Sequence, residues 1–344
     1  MFLDLSDLLQ SFSQSKILVL GEAMLDCYLE GSSDRLCQEA PVPVVTLHDR
    51  QNFAGGAGNA AVNLQSLGGQ VQFLSVIGAD QEGELLGQVL EHQGVTTEQL
   101  LVQPSRRTLA KHRVLAGAQM LLRFDQGTTT ALDPDMEQRL IDRLIHLFPT
   151  CDAVLVSDYG YGILTPRVIQ TLANLQALSP RILVVDSRQL AAYRDVGVTA
   201  VKPNYAEAIQ LLGLPRLEDR QRLDQIAAQG ERLLQLTGAE IVAATLDQEG
   251  ALIFERDRPL PYRTTARPTT PTQTTGAGDT YISVLTLGLA LAAPLPIVAE
   301  LAATAAAIGI AKEGTATCSR QELIEQGRTT DDLRLGQRQK FAVY

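Results

Sequence analysis

Gln273-Thr274-Thr275-Gly276-Ala277-Gly278-Asp279-Thr280, with the apolar, small-residue run from Tyr281 to Ala311 behind it, is the stretch on which the reading of this chain turns. Two glycines and an alanine leave backbone N–H groups uncovered where a helix should begin. There the amides and the helix dipole favour an anion. Asp279 stands one residue into that anion hole, where a carboxylate is mispaired unless it has a proton to take. A phosphate cradle with a base at its rim is the minimum equipment for phosphoryl transfer to a hydroxyl. Taken alone, a Gly-Ala-Gly turn before a helix also serves as an ordinary loop.

Working outward, short apolar runs read as buried parallel strands: Ile17–Leu20, Val71–Val76, Ala153–Val156, Ile182–Val185 and Glu240–Ala244. Helical patterns lie between most of them, as at Glu84–Leu90 and Met136–Ile145. The alternation predicts an α/β fold, a doubly wound and mostly parallel sheet with helices on both faces. Ligands of such sheets sit at the carboxyl ends of the strands, and the motifs below follow those ends. Two segments break the pattern, Tyr28 to His48 and Ser105 to Asp125. Both are extended in type without a helical period, and a small antiparallel sheet standing off the main domain accounts for both. The expected division is an α/β core over 16–27, 49–104 and 126–327, this small sheet over 28–48 and 105–125, an N-terminal amphipathic helix over 1–15 and a peripheral tail over 328–344.

At 344 residues, with 45% hydrophobic and 20% charged residues, the chain has the composition of a globular protein with a sizeable core. A net charge of −10 argues against nucleic acid as the partner, since phosphate backbones select basic faces. Cys27, Cys37, Cys151 and Cys318 show no C-x-x-C pairing, and His48, His92, His112 and His146 no metal-ligand spacing, so reduced thiols and no zinc site are expected. Pro294, Pro296 and Glu300 cut the apolar run 281–311 into pieces shorter than the roughly 20 residues a bilayer needs. Two buried, Ala-rich helices are the reading. No signal peptide is evident, so a cytoplasmic protein with no membrane partner is expected.

Near the N-terminus, Asp26 follows the first strand, where it can accept hydrogen bonds from sugar hydroxyls or simply close a turn. Next, Ala54-Gly55-Gly56-Ala57-Gly58-Asn59 lets a ligand approach the backbone closely, and Asn59 offers donor and acceptor on one side chain. Pro203-Asn204-Tyr205-Ala206-Glu207 reads by itself as a helix N-cap with a capping-box glutamate.

Taken together and in this order, these motifs resemble the PfkB (ribokinase-like) carbohydrate kinases over about Lys16 to Glu325. The segment Asp34 to Val45, with Thr108–Val114, Gln119–Asp125 and Ser157-Asp158-Tyr159-Gly160, is similar to the heptose-7-phosphate kinase branch, whose members phosphorylate the anomeric hydroxyl of a seven-carbon sugar phosphate. The resemblance implies Asp279 as catalytic base with Gly276, Ala277 and Gly278 as the anion hole. It implies that Asp26, Gly55, Gly56 and Asn59 hold the sugar, with Lys111, Arg113, Arg123 and Arg188 as cations for a substrate phosphate. For the nucleotide it implies Asn204, Glu207, Thr245, Asp247, Gly250, Thr275 and Gly314, with Glu207 organising Mg2+. The cofactors implied are ATP and magnesium, the small sheet over 28–48 and 105–125 is implied to be a β-lid on the kinase core, and the assembly implied is a homodimer through that lid.

Several positions depart from the family's pattern. Gln273 replaces an acidic residue that in many members shapes a monovalent-cation site, which puts K+ dependence in question. Tyr161 stands where the heptose kinases have lysine, and Asp186-Ser187-Arg188 replaces their Asp-Pro-Lys. Asp247 takes the place of Gly or Ser, and Ala303 that of an adenine-facing Asn. Alternatives to heptose 7-phosphate are therefore another sugar, as in fructokinases and ribokinases, or a non-catalytic sensor of sugar phosphate or nucleotide. Some heptose kinases carry a nucleotidyltransferase domain; with no His-x-x-His signature, this chain is expected to perform the kinase step alone.

Overall fold

The computed structural model describes residues 5–117, 119–218, 221–266, 275–312, 314, 315 and 317–329. At its centre lies the apolar run of β1 (Lys16–Gly21), which pairs in parallel on both sides, with β4 (Gln70–Gly78) and with β8 (Ala153–Asp158). Its alternate residues serve two cores. Ile17 and Val19 pack into one apolar cluster, Leu18 and Leu20 into the other. A strand apolar on every residue is what a sheet covered on both faces requires.

The chain leaves β1 first toward β4 and β5 (Leu100–Gln103), then returns to its other side through β8, β9 (Ile182–Ser187), β10 (Ala200–Val201) and β11 (Ile241–Thr245). These are parallel; β12 (Ala251–Glu255) and β13 (Tyr262–Thr264) add an antiparallel edge. The described residues thus form a nine-stranded sheet in the order β13-β12-β11-β10-β9-β8-β1-β4-β5. The order reverses at β1, and the crevice at such a switch point is where ligands bind.

The apolar run 281–311 forms two helices, Ala277–Ala290 and Leu295–Ile310, which pack on each other. Small residues permit the closeness: a Cβ on Gly288 would lie 2.5 Å from the Val298 side chain. Among the described residues no helix is long and apolar enough to cross a membrane. Among the described residues the N-terminal helix spans Leu5–Ser11 and gives way to a 3₁₀ turn, with Leu8, Leu9 and Phe12 buried. The tail from 330 onward, and Gln273, lie outside the described residues.

The lid is a second sheet of β2 (Ala23–Leu36), β3 (Pro43–Gly56), β6 (Leu109–Ala116) and β7 (Gln119–Gln126), in the order β3-β2-β6-β7. It differs from the sequence expectation twice. It is mixed rather than antiparallel, because β6 runs parallel to β2. It also starts earlier and ends later, since Ala23 pairs with Gly56 and Met24 with both Gly55 and Leu109. Asp26, Gly55 and Gly56, read as core, are therefore lid-strand residues at its root.

Candidate active site

The turn at Thr275-Gly276 opens the helix Ala277–Ala290 at the carboxyl end of the sheet. Gly276 has φ +89°, and a Cβ there would lie 2.8 Å from Asn59 Nδ2, so conformation and space both demand glycine. Asp279 sits in the first helical turn and is only 9% exposed. Its Oδ2 accepts from Asn59 Nδ2 at 2.6 Å and its Oδ1 from the Tyr159 hydroxyl at 3.3 Å. Burial pushes its carboxyl up to about 6, and the nearby Asp186 charge adds to this against the opposing hydrogen bonds and Lys202. A carboxylate in that range can take a proton near neutral pH, as a general base must.

Asn59 is itself aimed by a relay. Thr280 Oγ1 donates to Asn63 Oδ1 at 2.9 Å, and Asn63 Nδ2 donates to Asn59 Oδ1 at 3.1 Å. This fixes which end of the Asn59 amide meets Asp279. Expected from the sequence as a sugar ligand, Asn59 here has both ends of its amide engaged by protein, with Asp279 as its main partner.

Asp26 is 3% exposed and takes Arg113 Nη1 at 2.8 Å on one oxygen and Thr315 Oγ1 at 3.4 Å on the other. Glycine is required beside it: a Cβ on Gly55 would stand 2.5 Å from Asp26 Oδ2. Gly56, at φ +57°, turns the chain into the helix that carries Asn59. Lys111 reaches over the Tyr159 ring from the lid, 5.2 Å from its centroid. From the core, Arg188 lies 5.4 Å from the Tyr159 ring and 5.5 Å from that of Tyr161, whose hydroxyl is 3.4 Å from Arg188 Nη1. Tyr161 and Arg188, the two departures from the heptose-kinase pattern, are thus one contact. Arg123 does not join this group. It is half-exposed and closed on Asp125 by hydrogen bonds of 2.8 and 2.6 Å.

On the other flank, Asn204 and Glu207 form the reciprocal capping box of the helix Tyr205–Leu212. Asn204 bridges to Thr245 at the end of β11. Asp247 adopts φ +52° and pairs with Arg222 at 2.8 Å, and Arg222 lies over the Tyr205 ring at 4.3 Å. Gly250 has φ +90° and backs onto Thr264, whose carbonyl would be 2.1 Å from a Cβ. Gly314 packs instead on Phe53 of β3, and Thr315 lies between Gly276 and Asp26, so this pair borders the lid side of the turn.

Tyr159 stands inside one of the sequence motifs and Lys202 just before another, and the motifs alone assign neither a role. Lys202 is 4% exposed, pairs with Asp186 at 3.0 Å, and its Nζ lies 3.1 Å from where a Gly278 Cβ would be. Burial alone would lower its pKa, but Asp186, Glu207 and Asp279 together outweigh that and hold it protonated. A fixed ammonium therefore stands directly behind the anion turn. Lysine after an apolar strand and before Pro203 is a faint signal of this.

For magnesium, the relevant donor is Glu207, whose Oε2 accepts from its own cap at 2.9 Å while Oε1 makes no hydrogen bond among the described residues. Burial, first, and Asp186, second, raise its pKa. No group of three or more His, Cys, Asp or Glu among the described residues could cage a metal. One carboxylate beside a phosphate site fits a cation that keeps most of its water.

The model of the pfkB family carbohydrate kinases matches residues 14–322. A protein of Desulfatibacillum aliphaticivorans named bifunctional protein HldE is 38% identical over 315 residues, covering 92% of this chain and 63% of its own length. The HldE of Rhodospirillum rubrum is 33% identical over 322 residues, with 93% and 64% covered. The chain thus spans less than two thirds of these relatives. Among solved structures, phosphofructokinase-2 from Escherichia coli in complex with potassium superposes with a TM-score of 0.75 at 21% identity, covering 90% of this chain and 97% of that one. Arabidopsis thaliana ribokinase, complexed with ribose and ATP, gives 0.71 at 18%, with 90% and 98% covered.

Proposed function

Because this chain belongs to the pfkB family of carbohydrate kinases, we propose that it moves the γ-phosphate of ATP to the anomeric hydroxyl of heptose 7-phosphate, with Asp279 as base. The observation that carries this is a buried carboxylate, raised to about 6, in the first turn of a helix whose N-terminal amides are open to an anion. Asp279 takes the hydroxyl proton as the acceptor oxygen attacks. The Gly276, Ala277 and Gly278 amides and the Lys202 ammonium stabilise the charge spread over the transferring phosphoryl group. Asn59 and Tyr159 aim the base at the acceptor. Asp26, fixed by Arg113 and Thr315, accepts from sugar hydroxyls, and Lys111 and Arg188 meet the distal phosphate. Asn204, Thr245 and the Asp247–Gly250 turn border the nucleotide. Glu207 would hold Mg2+, which when bound would supply charge neutralisation for the nucleotide phosphates.

The similarity of the lid segments to heptose-7-phosphate kinases supports the substrate, as does the cation pair Lys111 and Arg188 on one aromatic ring. The exposed apolar side chains of the lid strands, among them Leu36, Leu47, Met120 and Leu122, support a homodimer through that sheet. The deciding experiment is ADP release with ATP-Mg2+ against heptose 7-phosphate, fructose, fructose phosphates and ribose. Selective turnover of the heptose phosphate is expected. Turnover of an unphosphorylated sugar alone keeps the kinase and discards this acceptor, and binding without turnover makes the chain a sensor.

A further inference from the structure

Glu22 follows β1 directly and is fully buried, yet has no place in the mechanism above. Its carboxylate is the meeting point of three backbone donors from one loop. Oε2 accepts from Tyr159 N–H at 2.7 Å, and Oε1 from Tyr161 N–H at 3.2 Å and Ile163 N–H at 3.3 Å. Arg106, 4% exposed, ties the same loop to the 128–130 segment, donating to the Tyr161 carbonyl at 2.6 Å and to the Thr128 and Thr130 carbonyls at 2.9 Å. The loop cannot relax freely, since Gly162 has φ +90° and lies hard against Thr130. Its first residue is Tyr159, whose hydroxyl donates to Asp279.

We propose that Glu22 is a positioning residue: as a carboxylate it holds the 159–163 loop so that Tyr159 meets Asp279, and its protonation releases that contact. The chemistry is the charge on the acceptor. A carboxylate accepts from all three N–H donors in charge-assisted bonds about twice as strong as neutral ones, a protonated carboxyl keeps the acceptor sites but loses that strength, and an amide turns donors toward at least one of them. The groups facing Glu22 are Asp158 at the end of β8, Arg106 from the segment entering the lid, Tyr193 beyond β9, and the three loop amides. Burial, first, and the Asp158 charge, second, push Glu22 up to about 7 against the pull of those amides. Protonation of Glu22 near that pH is what loosens the loop. The inference rests on the kinase reading for its effect on rate, but not for its effect on the loop.

The test follows that division. Amide exchange over 159–163 in the full wild-type chain, corrected for intrinsic rates, should lose protection as pH falls through about 7, by up to about tenfold per unit. Glu22→Gln should show the low protection at every pH. This readout needs no turnover, so it stands if the kinase reading fails. In catalysis, the acid limb of kcat/KM should require two deprotonations in the wild type, Glu22 and Asp279, and only one in Tyr159→Phe. Glu22→Gln should lower kcat about 10- to 10²-fold, the scale of a small misplacement, and adding Tyr159→Phe should cost nothing more. Exchange protection that is flat with pH, a one-proton acid limb in the wild type, or multiplying single-variant losses would each overturn the proposal. If Glu22→Gln does not fold, wild-type exchange and the Tyr159→Phe profile decide the matter without it.

Discussion

Two buried aspartates flank the Gly276 turn, and they are held in opposite ways. Among the described residues Asp279, on a core helix, accepts only from neutral donors, an amide and a phenol, with the Lys202 ammonium turned to Asp186. Asp26, on a lid strand, spends one oxygen on a guanidinium at 2.8 Å. Neutral donors orient a buried carboxylate without cancelling the desolvation that makes it basic, whereas a guanidinium at contact distance ties its partner oxygen to one position. The core thus supplies a group that can exchange a proton, and the lid a group that can fix a position.

The sharpest way to break this comparison is to neutralise each in turn. Asp279→Asn keeps shape and should keep binding of nucleotide and sugar, but lose about 10² to 10⁴ in kcat, the usual worth of a general base. Near-normal turnover would mean the proton goes elsewhere. Asp26→Asn should act mainly on acceptor KM, raising it about 10- to 10²-fold, as loss of a hydrogen bond to a charged group does. It should also leave Arg113, 9% exposed, without its ion pair and cost about 3 kcal/mol of stability in urea denaturation. A fall in kcat alone, with KM and stability intact, would make the two aspartates equivalent.

Stability against pH isolates Asp279. Asp279 rises from 3.8 to about 6 on folding, so between those values the folded chain binds more protons than the unfolded one. Its contribution therefore costs stability as pH climbs through that window, by about 3 kcal/mol once pH exceeds 6. Asp279→Asn removes the cost: the variant should be more stable than wild type at pH 8 and nearly level with it at pH 4. Equal stability curves for the two proteins would show that the carboxyl is better solvated than its burial implies.

The same contrast governs how much could be read from residues alone. The parallel strands were legible because a strand covered on both faces must be apolar throughout, and Val154-Leu155-Val156 admits no other use. The anion turn was legible because its chemistry is local. The root of the lid was not: Asp26 pairs with Phe53 and Lys111, partners far along the chain, and its own segment reads equally as a strand followed by a turn. Lys202 escaped for a related reason. A lysine inside an apolar context becomes functional only through Asp186, Glu207 and Asp279, three carboxylates from three different elements. Tyr159 belongs to the same class, since it gains its meaning from Asp279, whereas Asn59 was read as a site residue but toward a sugar, its contact with Asp279 lying 220 residues away. Alternation reports burial; it does not report which distant groups share a buried volume.

The smallest effect sharpens the comparison within the lid itself. Arg113 and Arg123 face each other across β6 and β7, and the sequence offers no ground for preferring one. Their partners differ: Arg113 closes on buried Asp26, whereas Arg123 closes on Asp125 with both side chains nearly half-exposed. An exposed pair gains little, because water screens the charges and two long side chains lose freedom to form it. Arg123→Ala should therefore change stability by under about 1 kcal/mol. Acceptor KM should stay within about twofold, since no direct contact is lost. Arg113→Ala strands buried Asp26 and should reproduce the acceptor KM defect of Asp26→Asn. If Arg123→Ala raised KM for a phosphorylated acceptor tenfold while leaving an unphosphorylated sugar untouched, the arginine would have to swing off Asp125 to meet the substrate phosphate. The lid would then contribute a mobile cation in addition to its fixed one.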